Sequence, residues 1–291
     1  MRYYLETNAI YNVSKFLIAD KKILQALCYS SFLTVFELLS GITPNQYNKR
    51  RSALLNLLES GIKIDWATPR EILTKAFSVA GIKDSLGNTV QRMADVVCKC
   101  FDYPEAESRC KKISLPWVLE DIVGADKFMS SYDKNDRLKM AKKFRQECDK
   151  KTISELRAMV FQKKDNKSSI DPNFQKKNEA DILRRHTEFV AQKLPGPNTE
   201  EKYTTVMKSY NGSLKWYLGA AAYIQAKDLL CGGTPAADDF FDISHFLYIH
   251  DEYDVMVSDD KLMKEVCETM WPTQHVTLKK LREILKYMIQ N

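Results

Sequence analysis

Two blocks in which short strands alternate with helices, held apart by a long helical stretch, constrain the fold of this chain more than any other feature. In the first block, "RYYLETNAI" (2–10) reads as a buried strand that turns directly into a helix. That helix runs from Asn8 to about Ile18, with Ile10, Val13, Phe16 and Leu17 at helical spacing. "SSFLTVFELLSG" (30–41) begins as an apolar run and becomes a helix that stops at Gly41. "QYNKRRSALLNLLESG" (46–61) is amphipathic, with Leu54, Leu57 and Leu58 inward, and "IKIDWA" (62–67) alternates like a strand. "TPREILTKAF" (68–77) carries a helix start, with Thr68 as cap, Pro69 in the first turn and Glu71 three residues after the cap.

Strands and helices in this order predict a parallel sheet with helices on its faces. Between about Ser85 and Asn211 no convincing strand is legible, only helical segments such as "TVQRMADVVCKCF" and "DRLKMAKKFRQECDKKTISELRAMVFQKK". "KKDNKSSIDPN" and "KLPGPNTEE" read as exposed loops. The alternation resumes with the helix "SLKWYLGAAAYIQAKDLLCGG", the helix "DDFFDISHFLYIHDEY", the strand "DVMVSDD", a further helix, β material near Gln274–Thr277 and a last helix. The expected architecture is α/β, an α/β/α parallel-sheet domain interrupted by an all-helical insertion. Residues 1–84 form its first part, 85–212 the insertion and 213–291 its second part.

Bulk composition narrows the class. A chain of 291 residues with 44% hydrophobic content has enough material for a sizeable core. No apolar run approaches the roughly 20 residues of a spanning helix, and the chain opens on a charged residue and a strand. The expectation is a soluble, cytoplasmic protein with no membrane partner. Seven cysteines at irregular spacing, with only Cys98 and Cys100 close together, suit reduced thiols rather than zinc ligands.

Charge is distributed unevenly. Between Asp238 and Glu268, ten acidic residues face only Lys261 and Lys264. Between Lys139 and Lys177, twelve basic residues face five acidic ones. One segment suits cations and the other a polyanion. Lys142, Lys143, Arg145, Lys150 and Lys151 are the candidates for gripping such a polyanion.

Ligands of open parallel sheets sit beyond the carboxyl ends of the strands. Glu6 ends the first strand and Asp260 the strand "VMVSD", so both point to one rim if those strands are parallel. Asp242 shares a helix face with Asp239 and with the cap residue Asp238, and Glu37 sits among apolar residues where a carboxylate needs a partner. Glu6, Glu37, Asp242 and Asp260 together would repel one another severely unless a divalent cation bridges them. An all-oxygen set selects Mg²⁺ or Mn²⁺, the equipment of phosphodiester hydrolysis.

The four motifs, "YYLETNAI", "SSFLTVFELLSG", "DDFFDISHFLYI" and "VMVSDDKL", taken in this order, resemble the PIN-domain ribonucleases over roughly residues 1–80 and 213–270. The resemblance implies a PIN-like fold and metal-dependent cleavage of RNA by water, with no covalent intermediate. It makes Glu6, Glu37, Asp242 and Asp260 the catalytic and metal-holding acids and Asp239 a residue behind those acids or an alternative metal ligand. Thr7, Asn8 and Ser258 become supporting residues. The chain departs from the family in its long insertion and in carrying Glu6 where the family has aspartate. A carboxylate displaced by about 1 Å can cost on the order of 100-fold in rate.

Three other readings belong beside this one. The same fold could serve as an RNA- or protein-binding module with weakened catalysis, which Glu6 favours. A toxin of a toxin–antitoxin or phage-defence system would use the insertion to contact an antitoxin, a regulatory protein or a second copy. A phosphoacceptor domain would need a central aspartate such as Asp65, but the order of the remaining acids does not fit it.

Overall fold

Tyr3, Tyr4 and Leu5 are buried one after another, which marks a strand covered on both faces. They lie in β1 (Arg2–Leu5), the middle strand of a five-stranded sheet. The computed structural model describes residues 1–13, 21–78, 85–112, 119–164, 167–232, 234–236 and 239–290. Phe16, Leu17 and Asp238 lie outside them.

The first block continues as α1 (Thr7–Val13), α2 (Lys21–Leu27), β2 (Cys28–Ser31), α3 (Phe32–Ser40), α4 (Tyr47–Ser60), β3 (Lys63–Asp65) and α5 (Pro69–Ala76). The middle region holds α6 (Leu86–Lys99), α7 (Tyr103–Lys112), α8 (Leu119–Glu147), α9 (Lys150–Val160), β4 (Phe161–Lys164), β5 (Lys167–Ile170), α10 (Pro172–Lys193) and α11 (Glu200–Lys208). The second block contains α12 (Lys215–Leu230), α13 (Asp239–Ser244), a 3-10 turn (His245–Tyr248), β6 (Asp254–Val257), α14 (Lys261–Met270), β7 (His275–Val276) and α15 (Leu278–Gln290).

The sheet runs β3-β2-β1-β6-β7 with every neighbouring pair parallel. Tyr3 lies opposite Val255 and Leu5 opposite Val257. The residues that follow, Glu6 and Ser258, therefore leave the sheet side by side. The chain steps outward from β1 to β3, then returns on the other side of β1. That reversal of strand order opens the crevice where such sheets hold ligands.

Local chemistry explains the element ends. Ser31 caps α3 by accepting the Thr34 N–H, and Thr68 with Glu71 forms a capping box on α5. Gly61 ends α4 in the left-handed conformation at φ +71°. Gly219 lets α12 approach α14 closely, since a Cβ there would stand 2.7 Å from the Trp271 ring.

The expectation of an all-helical insertion is corrected. β4 and β5 form an antiparallel hairpin, with Phe161 opposite Ile170 and Lys164 opposite Lys167. The hairpin includes part of the stretch expected to be an exposed loop. Its four-residue strands each carry one apolar side chain, so no alternation announces them. Tertiary contact stabilises them instead: the Phe161 ring meets Tyr223 edge-on at 5.9 Å and β5 packs beside α14. The expected helix "DDFFDISHFLYIHDEY" is likewise corrected, for it holds only the short α13 and the 3-10 turn. Phe246 packs on Trp271 and Tyr248 stacks on Tyr4, which draws the chain off a regular helical path.

The middle region is not an appendage. Val160, Ile182, Val190 and Val206 join the same core as the sheet, and α8 packs on α3, α12 and α13. All seven cysteines are free and four are buried. Among the described residues no helix is long and apolar enough to cross a membrane.

Candidate active site at the sheet rim

Glu6 is 2% exposed at the end of β1. The chain turns into α1 immediately, which aims the first free amides of the helix at this carboxylate. Glu6 Oε2 accepts the Asn8 N–H at 2.6 Å and Oε1 the Ala9 N–H at 3.2 Å. These bonds and the nearby His245 favour the ionised form. Burial outweighs them, and with Glu37 adding repulsion the Glu6 carboxyl is pushed up to about 7.

Glu37 reaches the same place from α3. Its Oε2 accepts bonds from the Thr7 hydroxyl and from His245 Nε2, the latter at 2.8 Å. A carboxylate only accepts, so the His245 proton sits on Nε2. His245 is buried, and its Nδ1 lies 2.5 Å from the Tyr4 hydroxyl, which is itself 2.7 Å from Ser31 Oγ. Burial raises the Tyr4 phenol well above its ordinary range, so it stays protonated. On the outer side, Arg50 Nη1 donates to the Glu37 carbonyl at 3.2 Å and its guanidinium lies 5.3 Å from the Tyr11 ring centre.

The second block contributes through Ser258. Ser258 is fully buried after β6, beside the end of β1 that carries Glu6, and its Oγ accepts the Asp260 N–H at 2.9 Å. The Asp260 side chain caps α14, with Oδ1 accepting from Leu262 N and Met263 N at 2.7 and 3.0 Å. Asp242 is half-buried in the first turn of α13, three residues before His245.

The structure thus brings Glu6, Glu37, Thr7 and Ser258 to one rim, with the Asp260 main-chain N–H bonded to Ser258 and its side chain on the start of α14. Asn8 contributes its backbone N–H, its side chain being exposed. Among the described residues no group of three or more His, Cys, Asp and Glu side chains is set to hold a metal ion.

Asp239 sits in a different cluster. Its Oδ2 accepts from Arg137 Nη2 at 2.9 Å, and the same guanidinium reaches Asp228 at 2.6 Å and Asp133 at 3.3 Å. Burial pushes the Asp133 and Asp228 carboxyls up despite this arginine. Among the expected RNA contacts, Lys142, Lys143, Lys150 and Lys151 are exposed. Lys143 and Lys151 lie 3.8 and 3.9 Å from Glu147 and Glu155. Arg145 is half-buried and donates to the Asp228 carbonyl at 2.8 Å, so it ties α8 to α12.

Sequence reasoning passed over His245 and Arg137. His245 had one faint signal, a polar residue inside the apolar run "ISHFLYI". Arg137 had only its place among acids in "DKNDRLK". Comparison with protein-family models, with curated proteins and with solved structures yields no match.

Proposed function

We propose that this protein is a divalent-metal-dependent endoribonuclease with a PIN-like arrangement of its site. One observation carries the reading: parallel pairing of β1 with β6 gathers Glu6, Glu37, Ser258 and Asp260, from opposite ends of the chain, at the switch point of the sheet. Carboxylate oxygens are the donor type that Mg²⁺ or Mn²⁺ takes, and among the described residues fewer than three such side chains stand together. Glu6 is a desolvated carboxyl beside a second carboxylate, and both bonds to Glu37 fall on Oε2, with none made to Oε1 among the described residues. Glu6, Glu37, Asp260 and Asp242 are the residues that would hold the ion. When bound, a divalent ion neutralises charge on the scissile phosphate and acidifies a water.

The chain's own groups have definite parts in this reading. Without a cation Glu6 holds its proton up to about pH 7 and must give it up as the site takes positive charge. His245 Nε2 and the Thr7 hydroxyl fix Glu37 Oε2 in place. Ser258, next to Glu6 at the rim, holds the turn that carries Asp260. Arg50 donates to the Glu37 main-chain carbonyl and lies over the Tyr11 ring, which braces α3.

A second reading, a binding module that grips RNA without cutting it, is favoured by the engagement of both Glu6 oxygens with backbone N–H groups. The experiment incubates the protein with mixed RNA and Mg²⁺ or Mn²⁺, with and without EDTA, beside Asp260→Asn and Glu6→Asp. Cleavage lost with EDTA and with Asp260→Asn, and kept or increased with Glu6→Asp, is expected. Cleavage indifferent to both treatments sinks the metal mechanism. Salt-sensitive binding with no cleavage in any metal supports the binding module.

A further inference from the structure

Behind the sheet rim, Ser31, Tyr4 and His245 form a hydrogen-bonded line sealed from solvent. Ser31 and Tyr4 are 0% exposed and His245 is 1% exposed. Ser31 Oγ lies 2.7 Å from the Tyr4 hydroxyl, which lies 2.5 Å from His245 Nδ1. His245 Nε2 in turn lies 2.8 Å from Glu37 Oε2. Only this last member opens outward, the Glu37 side chain being 20% exposed. Buried as they are, Ser31, Tyr4 and His245 act at the rim only through Glu37.

The line closes on the helix from which it starts. Ser31 caps α3 by accepting the Thr34 N–H, and Glu37 stands further along the same helix. Tyr4 belongs to β1 and His245 to the turn after α13, so the line also sets how those elements meet α3. Tyr4 is itself held by its ring, which lies 5.3 Å from Tyr29 and stacks on Tyr248 at 6.1 Å. Its hydroxyl therefore sits at a fixed point.

Both ring nitrogens of His245 are engaged, one by Tyr4 and one by Glu37. A half-turn of the imidazole would set carbon atoms against both partners and leave buried polar groups unpaired, which native structures avoid. The Thr7 hydroxyl is the other donor to Glu37 Oε2. An oxygen with two lone pairs is then fully used, which leaves Oε1 to face the rim.

We propose that Tyr4 is a positioning residue for the rim: its hydroxyl, braced by Ser31, fixes the His245 ring so that Nε2 pins Glu37 Oε2 and leaves Glu37 Oε1 open. That Oε1 then serves a cation rests on the nuclease reading; the pin does not.

The test uses the full chain with ¹⁵N in its histidines and two variants that each remove one buried hydroxyl and keep the ring. Tyr4→Phe breaks the line. Tyr29→Phe removes a hydroxyl that donates to the Tyr248 carbonyl at 2.9 Å, outside the line, and is the control. In the parent, nuclear magnetic resonance is expected to show a His245 Nε2–H that exchanges slowly with solvent. Tyr4→Phe is expected to speed that exchange by about tenfold or more and to weaken Mn²⁺ binding by about tenfold. Tyr29→Phe is expected to leave both as in the parent. Slow exchange kept in Tyr4→Phe, or the same changes in Tyr29→Phe, overturns the proposal. Should Tyr4→Phe fail to fold, the parent decides: a protected Nε2–H supports the pin, and a freely exchanging or absent one overturns it. Faster exchange with unchanged Mn²⁺ affinity supports the pin and counts against Glu37 as a ligand. Absence of Mn²⁺ binding in the parent sinks the nuclease reading alone, and the exchange rates then decide the pin.

Discussion

Two acid clusters sit on either side of α13, and they differ in one respect. Around Arg137, the carboxylates of Asp133, Asp228 and Asp239 share a guanidinium supplied by the chain. At the sheet rim, Glu6 and Glu37 have only the His245 imidazole and a set of N–H and O–H donors. In sequence Asp239 and Glu6 looked alike as candidate metal ligands. The structure gives one a permanent cation and leaves the other a buried carboxyl that holds its proton to about pH 7. A carboxylate cluster with a built-in arginine serves the fold. One without it is where an external cation has most to offer.

The largest expected effect breaks the first cluster. Arg137→Ala leaves Asp228 and Asp239 poorly solvated and unpaired, so a loss of about 3–5 kcal/mol is expected by urea denaturation. A loss under about 1 kcal/mol would mean that the cluster is already well hydrated.

Next comes the pH dependence of the second cluster. A carboxyl whose folded value is raised to about 7 costs nothing below about pH 4.5, and its penalty grows as pH rises toward 7. The metal-free protein should therefore lose up to about 3 kcal/mol over that window from this group. Glu6→Gln should flatten that slope. Mg²⁺ or Mn²⁺ should raise the melting temperature more at pH 8 than at pH 5.5 in the parent and not in Glu6→Gln. Equal shifts at both pH values would detach Glu6 from cation binding.

Glu37→Gln keeps the shape of the side chain and removes its charge. On the nuclease reading it lowers RNA cleavage by about 100-fold or more at saturating metal, with folding unchanged by circular dichroism. Undiminished turnover would remove Glu37 from the site. The smallest effect belongs to the exposed surface: Lys142→Ala with Lys143→Ala is expected to reduce the salt slope of RNA binding by about one to two units and to leave melting within about 0.5 kcal/mol. An unchanged slope would place the RNA path elsewhere.

Legibility tracked the range of the interaction involved. The Thr68–Glu71 capping box and the Gly41 and Gly61 helix ends were readable because each is decided within one turn of chain. The β4–β5 hairpin was not readable, because Phe161 and Ile170 make no pattern until Tyr223 and α14 cover them. Of the residues at the rim, Glu6 stood out by its position at a strand end and Glu37 as a carboxylate among apolar residues, while Thr7 and Ser258 followed only from the family resemblance. Asp239 was expected behind the metal-holding acids or as an alternative ligand, and the Arg137 beside it was not foreseeable because it lies 102 positions away in sequence. Arg145, expected at an RNA surface, proved to bind a carbonyl of α12 for the same reason.

The amino-acid sequence by itself determined the α/β alternation, the helix ends and the carboxylate that follows each rim strand. These depend on hydrophobic periodicity and on bonds between residues a few positions apart. Which carboxylates met a guanidinium, an imidazole or one another was decided by tertiary structure. Charges couple over a few ångströms of space, and only packing converts distance along the chain into distance between side chains.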